Sequence, residues 1–113
     1  MKFEPSPLAL AETFAACLPD QPAVVRRKMF GWPSAAIGGH MFASLHREAI
    51  VVRLPPAEMA DLLALPGARP FEPMPGRAMT GYGVLPPELN ADRPAVRDWI
   101  ERAYRAAAAL PPK

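Results

Sequence analysis

The stretch "IGGHMFASLHREAIVVRLP", residues 37–55, decides the fold. Gly38 and Gly39 suit the tight turn of a β-hairpin, because both positions of such a turn need a positive φ. The strand predicted after this turn spans 40–46 and alternates, with Met41, Ala43 and Leu45 on one side and Phe42, Ser44 and His46 on the other. The β-branched run that follows predicts another strand, with Ile50, Val52 and Leu54 directed inward.

The sixteen prolines mark where regular structure must lie. Proline is tolerated at helix starts and in loops, but not inside helices or central strands. Four windows are free of it: 8–18, 34–54, 57–65 and 95–110. Further strands are predicted at 24–30 and 79–85, whereas the segment between the second helix and the last strand has room for a short edge strand and a loop.

Three of these windows predict helices, at 8–18, 57–65 and 95–110, from apolar residues at helical spacing. Ser6 is the expected cap of the first helix and Asp92 that of the third. The apolar stripes expected to face the core are Leu10, Phe14, Cys17 and Leu18; Met59, Leu62 and Leu63; and Val96, Trp99, Ile100, Ala103, Ala107 and Leu110.

The resulting order is one helix, three or four strands, a helix, one or two strands and a last helix. Consecutive hairpins combined with helices predict an α+β fold, a two-layer sandwich with a mainly antiparallel sheet. A chain of 113 residues fits a single domain, so we assign 1–113 to one unit.

Composition narrows the classes of function. The net charge is +2, which is too small to indicate a nucleic-acid or membrane partner by bulk charge. Cys17 is the only cysteine, which excludes an intramolecular disulfide and favours a reducing compartment. No segment reaches the roughly 20 apolar residues of a membrane span. We therefore expect a soluble cytoplasmic domain without membrane partners.

Metal and catalytic motifs are weak. His40 and His46 have the same parity in one predicted strand, which places them about 20 Å apart on the same side, too far to share a metal. Ser44 is predicted to lie roughly 6–7 Å from His46, beyond hydrogen-bond reach. No glycine-rich phosphate loop is complete. We expect no enzyme activity, no metal and no cofactor.

The run Arg26-Arg27-Lys28 is the one local concentration of positive charge. In a strand, Arg26 and Lys28 face one side and Arg27 the other, and with Arg53 or Arg77 they could contact phosphates. Charged residues on an edge strand also prevent edge-to-edge aggregation. Since no row of exposed aromatic residues accompanies the run, solvation is favoured over nucleic-acid binding.

Several motifs together resemble the TfoX N-terminal domain family. They are "RRKMFGWP" (26–33), "HMFASLH" (40–46), "IVVRLP" (50–55), "LLALPGARPFEPMPGRAMTGYGVLPPEL" (62–89) and the closing "VRDWIERAYRAAAALPPK" (96–113). The motif residues Met29, Phe30, Gly31, Met41 and Phe42 are interpreted as core or turn positions. The resemblance implies an α+β domain without catalytic residues to assign. The family takes its name from a bacterial regulator of natural competence, in which a second helical domain follows; the resemblance here implies the stand-alone form.

These observations favour a non-enzymatic regulatory or protein-interaction domain, with a homodimer through an edge strand as one option. The first alternative is a small-molecule binding domain or an enzyme that uses the loop 70–82, and the second is a nucleic-acid-binding accessory protein. Within the loop, Arg77 and Tyr82 are the residues least explained by packing. Gly76 is expected to direct Arg77 away from the core, although Arg77 could instead pair with Glu72 or Glu88.

Overall fold

The structure is a computed structural model that describes residues 6–29 and 31–113; Phe30, one of the motif residues, lies outside the described residues. The helices are α1 (Leu8–Cys17), α2 (Pro56–Leu63) and α3 (Arg93–Ala108), and a 3-10 helix spans Pro87–Ala91. The strands are β1 (Val24–Met29), β2 (Trp32–Ile37), β3 (His40–His46), β4 (Ala49–Arg53), β5 (Arg69–Pro70) and β6 (Tyr82–Val84).

The strands form one antiparallel sheet in the order β1-β2-β3-β4-β6-β5. Strands β1 to β4 follow one another as hairpins, and the chain then passes through α2 and β5 before β6 pairs with β4. The α+β prediction is confirmed, with four strands before α2 and two after it. Of the two edge strands, β5 is the short one predicted between α2 and the last strand.

The turn between β2 and β3 has the geometry that its glycines predict. Gly38 has a φ of 59° and Gly39 a φ of 83°. Two positive values in succession correspond to a type I′ turn, whose twist matches that of the flanking strands. This turn fixes the pairing of Ile37 with His40 and therefore the start of β3.

The helices cover one face of the sheet and form the larger core with it. Trp99 lies in this core at 7% exposure, as the stripe on α3 predicts. The guanidinium carbon of Arg102 lies 4.4 Å from the centre of the Trp99 ring. Asp92 caps α3 by accepting a hydrogen bond from the Ala95 amide at 3.2 Å. Two i,i+4 ion pairs also form on α3, Asp98–Arg102 at 3.4 Å and Glu101–Arg105 at 3.9 Å.

A β-bulge at Phe42 changes the predicted facing of β3. Ala35 pairs with Ala43, whereas the next residue, Ala36, pairs with Met41, so Phe42 has no partner in the ladder. The extra residue lets both Phe42 and Ala43 join the helix-side core, where the Phe42 ring meets Tyr104 edge-on at 5.6 Å. The prediction that Phe42 shares a face with Ser44 and His46 was therefore wrong.

The same bulge separates the two histidines. His40 pairs with Ile37, which packs on the helix-side core, and its Nε2 lies 2.8 Å from the carbonyl oxygen of Pro111. His46 contacts the rings of Trp32 and Phe71 instead. The two side chains lie on opposite faces, not on one side as strict alternation predicts.

Two helix ends also differ from prediction. Pro7, not Ser6, is the residue before α1, and among the described residues no side chain caps this helix. Pro7 has a ψ of 140°, so the helical conformation begins at Leu8, one residue later than a Ser6 cap requires. At the other end of the chain Leu110 lies beyond α3 and is 39% exposed, although the stripe predicts it in the core.

The face of the sheet opposite the helices carries a much smaller cluster. Val51, Phe71 and Val84 are buried there. Their neighbours Ile50 and Val52 belong to the helix-side core, as expected when successive side chains of a strand point to opposite faces. We call this side of the sheet the open face, because the loop after β5, rather than a helix, covers it.

Candidate functional site

A cleft of about 1160 Å³ lies beside this small cluster, and we call it the His46 cleft. Strands β2 and β3 contribute Trp32 and His46, and the β3–β4 turn contributes Arg47. Arg69 of β5 and Asn90 of the 3-10 helix line it as well. Strand and turn positions that are distant in sequence thus meet at one end of the sheet.

His46 is held between two aromatic rings. Its ring centre lies 4.6 Å from that of Trp32 and 5.1 Å from that of Phe71. The Phe71 ring meets the imidazole edge-on, at an interplanar angle of 71°. Such contacts fix the imidazole orientation without supplying a hydrogen-bond partner.

The electrostatic environment of His46 is positive. Burial lowers the pKa of His46 below its ordinary value of 6.5, and the nearby cations Arg47 and Arg69 lower it further. Glu48 and Glu72 also line the cleft, yet the charged groups that shift the His46 pKa are both cations. In the described part of the chain neither Arg47 nor Arg69 forms an ion pair. Arg47 and Arg69 therefore keep guanidinium N–H groups available to an anion, while Glu48 and Glu72 balance their formal charge.

Arg47 occupies a backbone position that favours glycine. It has a φ of 56°, and it is the only non-glycine residue with a positive φ among residues 6–29 and 31–113. His46 pairs with Ala49, so Arg47 and Glu48 form a two-residue hairpin turn whose first position usually holds glycine. Such strained residues cost about 1–3 kcal/mol and cluster at ligand sites. The strain here is consistent with a role for the Arg47 side chain in the cleft.

Polar atoms without a partner concentrate in the same cleft. Four buried side-chain N or O atoms have no hydrogen-bond partner in the described chain. Three of them, Ser6 Oγ, His46 Nδ1 and Asn90 Oδ1, belong to residues that line the His46 cleft. The Asn90 amide is held from its other side, since its Nδ2 donates to the Glu48 carbonyl at 3.0 Å. Buried polar groups normally have a partner, so the wall of this cleft holds unsatisfied hydrogen-bonding capacity that a small local shift would present to a ligand.

The loop 70–82, predicted to carry the function, contributes only its first half to the cleft. Glu72, Pro73 and Pro75 line it. Gly76 has the predicted positive φ of 76°, and its amide donates to Glu72 Oε2 at 3.4 Å, so this carboxylate stabilises the turn. Arg77 is exposed, does not line the cleft and forms no ion pair in the described chain.

Tyr82 lies in β6 and packs against the small cluster on the open face. Its backbone accepts a hydrogen bond from the Phe71 amide at 3.0 Å. Packing therefore explains the position of Tyr82. Neither Tyr82 nor Arg77 lines the His46 cleft, so the structure does not bring these two residues together there.

The basic run lies on the β1 edge, away from these residues. Arg26, Arg27 and Lys28 are all exposed, and the Arg26 guanidinium donates to the Ala15 carbonyl of α1 at 3.4 Å. Arg53 is on β4, three strands away from β1 in the sheet. This corresponds to about 14 Å at the usual spacing between neighbouring strands. Arg53 therefore does not extend this patch as the sequence suggested. A role of the patch in nucleic-acid binding stays a prediction.

Sequence reasoning missed the His46 cleft, although one signal was present. A two-residue hairpin turn normally holds Asn, Asp or Gly, and "RE" at 47–48 is unusual there. An unusual turn residue beside a histidine that ends a strand indicates a site. The remaining members, Arg69, Phe71 and Asn90, come from segments that only the fold places next to the turn.

Two other properties bear on function. Among the described residues, no group of three or more His, Cys, Asp and Glu side chains could hold a metal ion. No described helix has the length and apolar character to cross a membrane.

Cys17 is buried, which raises the pKa of its thiol, and its Sγ lies 3.5 Å from the Arg93 carbonyl oxygen.

Comparison with known families gives one match. The family model described as TfoX N-terminal domain matches residues 16–107. No curated protein and no solved structure matches the chain. Because the matched range covers most of the sequence, the chain belongs to the TfoX N-terminal domain family.

Proposed function

We propose that this TfoX N-terminal domain is a non-enzymatic, cytoplasmic interaction domain whose His46 cleft binds an acidic segment of a partner protein. The observation that carries the proposal is the concentration of unpartnered buried polar atoms beside two unpaired arginines in one cleft. Arginine is suited to this role, because its planar guanidinium donates paired hydrogen bonds to a carboxylate.

The size of the cleft favours a peptide over a small molecule. Small-molecule pockets are typically about 300–1000 Å³. The His46 cleft, at about 1160 Å³, exceeds that range and is lined by separate apolar and charged groups. Trp32 and Phe71 line the cleft with largely buried rings, and aromatic residues and arginine are the residues enriched at protein-interaction hot spots.

The surroundings of His46 favour binding over catalysis. A catalytic histidine needs a nucleophile or substrate proton on one nitrogen and an orienting group on the other. His46 lies between two rings, and its Nδ1 has no partner. The single hydroxyl hydrogen of Ser44 is directed at the backbone, since its Oγ lies 2.9 Å from the Leu45 carbonyl oxygen and 3.3 Å from that of Pro33, so it is not engaged with His46.

Pairing of two copies of this chain through their β1 edge strands is unfavourable. Two β1 strands paired antiparallel would bring Arg26, Arg27 and Lys28 of both copies together. Like charges on facing strands destabilise pairing. We therefore propose a different protein as the partner and expect no pairing of two copies through the β1 edge.

The test uses a fluorescent probe peptide with alternating glutamate and phenylalanine, and a second peptide in which glutamine replaces each glutamate. We expect the wild-type protein to bind the acidic probe at least about tenfold more tightly than the neutral one. Replacing Arg47 and Arg69 together by glutamine should remove that preference. Arg77→Gln is the comparison variant, since Arg77 does not line the cleft. Equal binding of both peptides, or an unchanged preference in the double variant, would overturn the proposal.

A pull-down from the native cell then identifies the partner. The Arg47→Gln/Arg69→Gln protein serves as the negative bait, so a genuine partner is one that the wild-type bait recovers and this bait loses. A partner lost with Arg77→Gln but retained by the double variant would instead place the interaction on the loop tip, as the sequence predicted.

A further inference from the structure

A second cleft, of about 540 Å³, lies on the helix side of the sheet and takes no part in the proposed function. Its walls are the end of β4, the first half of α2 and the end of α3. The apolar lining comes from Leu54, Met59, Ala107 and Leu110 among others. No residue lines both this cleft and the His46 cleft. We call it the Met59 cleft.

The Met59 cleft lies between the first half of α2 and the end of α3. Arg102 of α3 pairs with Asp61 of α2 at 3.9 Å. Farther along, α3 presents the small side chains of Ala106 and Ala107 toward the cleft where Met59 lines the other wall. A larger residue at these positions would fill the gap between the helices.

The exposed apolar residues of this region agree with an unfilled site. Leu110 belongs to the apolar stripe by spacing, yet it is 39% exposed at the wall of the cleft. Met59 is only partly buried, whereas Leu62, one turn along α2, is fully buried. Of the apolar residues on the core-facing side of α2, Leu62 is thus covered by other elements, whereas Met59 stays partly accessible from the cleft.

One cation lines this otherwise apolar cleft. Arg53 lines it, and the Arg53 Nη1 lies 3.5 Å from His40 Nδ1. The Nε2 of His40 lies 2.8 Å from the Pro111 carbonyl oxygen, which accepts a hydrogen bond and so places a hydrogen on Nε2. Nδ1 is then the atom that accepts from the Arg53 guanidinium. Arg53 forms no ion pair in the described chain, which leaves most of its five N–H groups for another acceptor.

Thr80 adds polar character beside Arg53, because it lines the cleft and brings a hydroxyl group. The start of α2 contributes only Pro55 and Pro56 to the cleft, and these residues have no amide hydrogen to donate.

We propose that the Met59 cleft binds a small apolar monocarboxylic acid, with its hydrocarbon part among the apolar side chains and its carboxylate on Arg53. The cleft volume falls within the usual range of small-molecule sites, in contrast to the larger His46 cleft. Apolar walls with a few convergent polar groups are the usual composition of such sites. The acid matches the single cation at the site, whereas a neutral hydrocarbon would leave Arg53 unpaired.

The test compares octanoate with octan-1-ol, which has the same chain and no charge, by titration of the full chain with methyl-labelled methionine. We expect saturable shifts of the Met59 methyl signal with octanoate and at least about tenfold weaker binding of the alcohol. Arg53→Gln should reduce this preference to near unity, because only the carboxylate depends on the guanidinium. The readout is a ratio of two affinities, so a general loss of stability does not mimic the result.

A matched pair of helix variants tests the location. Ala106→Leu should abolish binding of both compounds by filling the cleft, whereas Ala108→Leu, at an exposed position of the same helix, should leave both unchanged. The absence of saturable Met59 shifts, equal affinity for acid and alcohol, or a preference that survives Arg53→Gln would overturn the proposal. Binding of the acidic peptide probe should be unaffected by Arg53→Gln, which separates this proposal from the one for the His46 cleft.

Discussion

The two faces of the sheet are covered in different ways. On one face, α1, α2 and α3 form a continuous core with the strands, and this core includes Trp99 and Phe42. On the other face, the sheet is covered only by the three-residue hydrophobic cluster and a proline-containing loop. A cleft with charged walls lies beside them. Apolar burial is the main stabilising contribution in folding, so the helix face carries most of the stability.

The open face buries few apolar residues and contains groups that are unfavourable for folding. Its cleft contains a strained Arg47, a His46 whose pKa is lowered by burial, and polar atoms without partners. The strain at Arg47 and the unpartnered polar atoms cost stability in the free protein, and the lowered pKa of His46 adds a cost where the pH is low enough to protonate it. The concentration of these features in one place is consistent with the binding role proposed for this cleft. This contrast leads to predictions that differ in size between the two faces.

The largest effect is expected on the helix face. Trp99→Ala should lower the free energy of unfolding by about 3–5 kcal/mol, because it removes a large side chain from the centre of the main core. The melting temperature should fall by well over about 10 °C, at roughly 4–8 °C per kcal/mol for a domain of this size. Thermal unfolding followed by circular dichroism measures this. A shift below about 3 °C would mean that the helices do not provide the main stabilisation.

A smaller, pH-dependent effect is expected at His46. Its pKa is lowered in the folded state, first by burial and then by Arg47 and Arg69, so the unfolded chain binds the proton more readily. The neutral form therefore contributes stability above the ordinary pKa of 6.5, and this contribution is lost as the pH falls through that value toward the folded pKa.

Urea unfolding of the wild type and His46→Gln at about pH 8 and about pH 5.5 tests this sign. The wild type should lose more stability between the two pH values than the variant does. Equal losses would show that His46 is as easily protonated in the folded protein as in the unfolded chain.

The smallest effect on stability, and a change in the opposite direction, is expected at the strained turn. Arg47→Gly should leave the free energy of unfolding unchanged or raise it by up to about 1 kcal/mol, since glycine adopts a positive φ without steric cost. The same change should weaken binding of the acidic probe peptide.

Arg77→Ala is the matched comparison, because Arg77 is an exposed arginine outside the cleft. It should change stability by less than about 0.5 kcal/mol and leave probe binding intact. Marked destabilisation by Arg47→Gly would show that the Arg47 side chain supports the fold. Weaker probe binding by Arg77→Ala would restore the loop tip as the site.

Most of the fold was predictable from local patterns. Proline-free windows located the helices within about two residues, a usual boundary error. The Gly38-Gly39 pair predicted the hairpin, and the α3 stripe predicted the burial of Trp99. These features depend on backbone preferences and on the period of apolar residues, both of which are properties of a short segment.

The errors came from contacts between segments. Strict alternation placed Phe42 on the wrong face, because a bulge inserts one residue and leaves no signature in the apolar pattern of its own strand. Leu110 was predicted to be buried, since spacing alone does not show that α3 ends before this residue and that it lies at the wall of a cleft.

By itself, the sequence determined the α+β class, the order of the elements, the family and most of the helix-side core. Only the tertiary structure decided that His46, Arg47, Arg69, Phe71 and Asn90 lie around one cleft, and that Arg53 lies alone beside an apolar one. The physical reason is the distance along the chain over which each effect acts. Turn chemistry and hydrophobic period act over a few neighbouring residues, whereas a cleft is the space left between elements whose separation depends on every side chain packed between them.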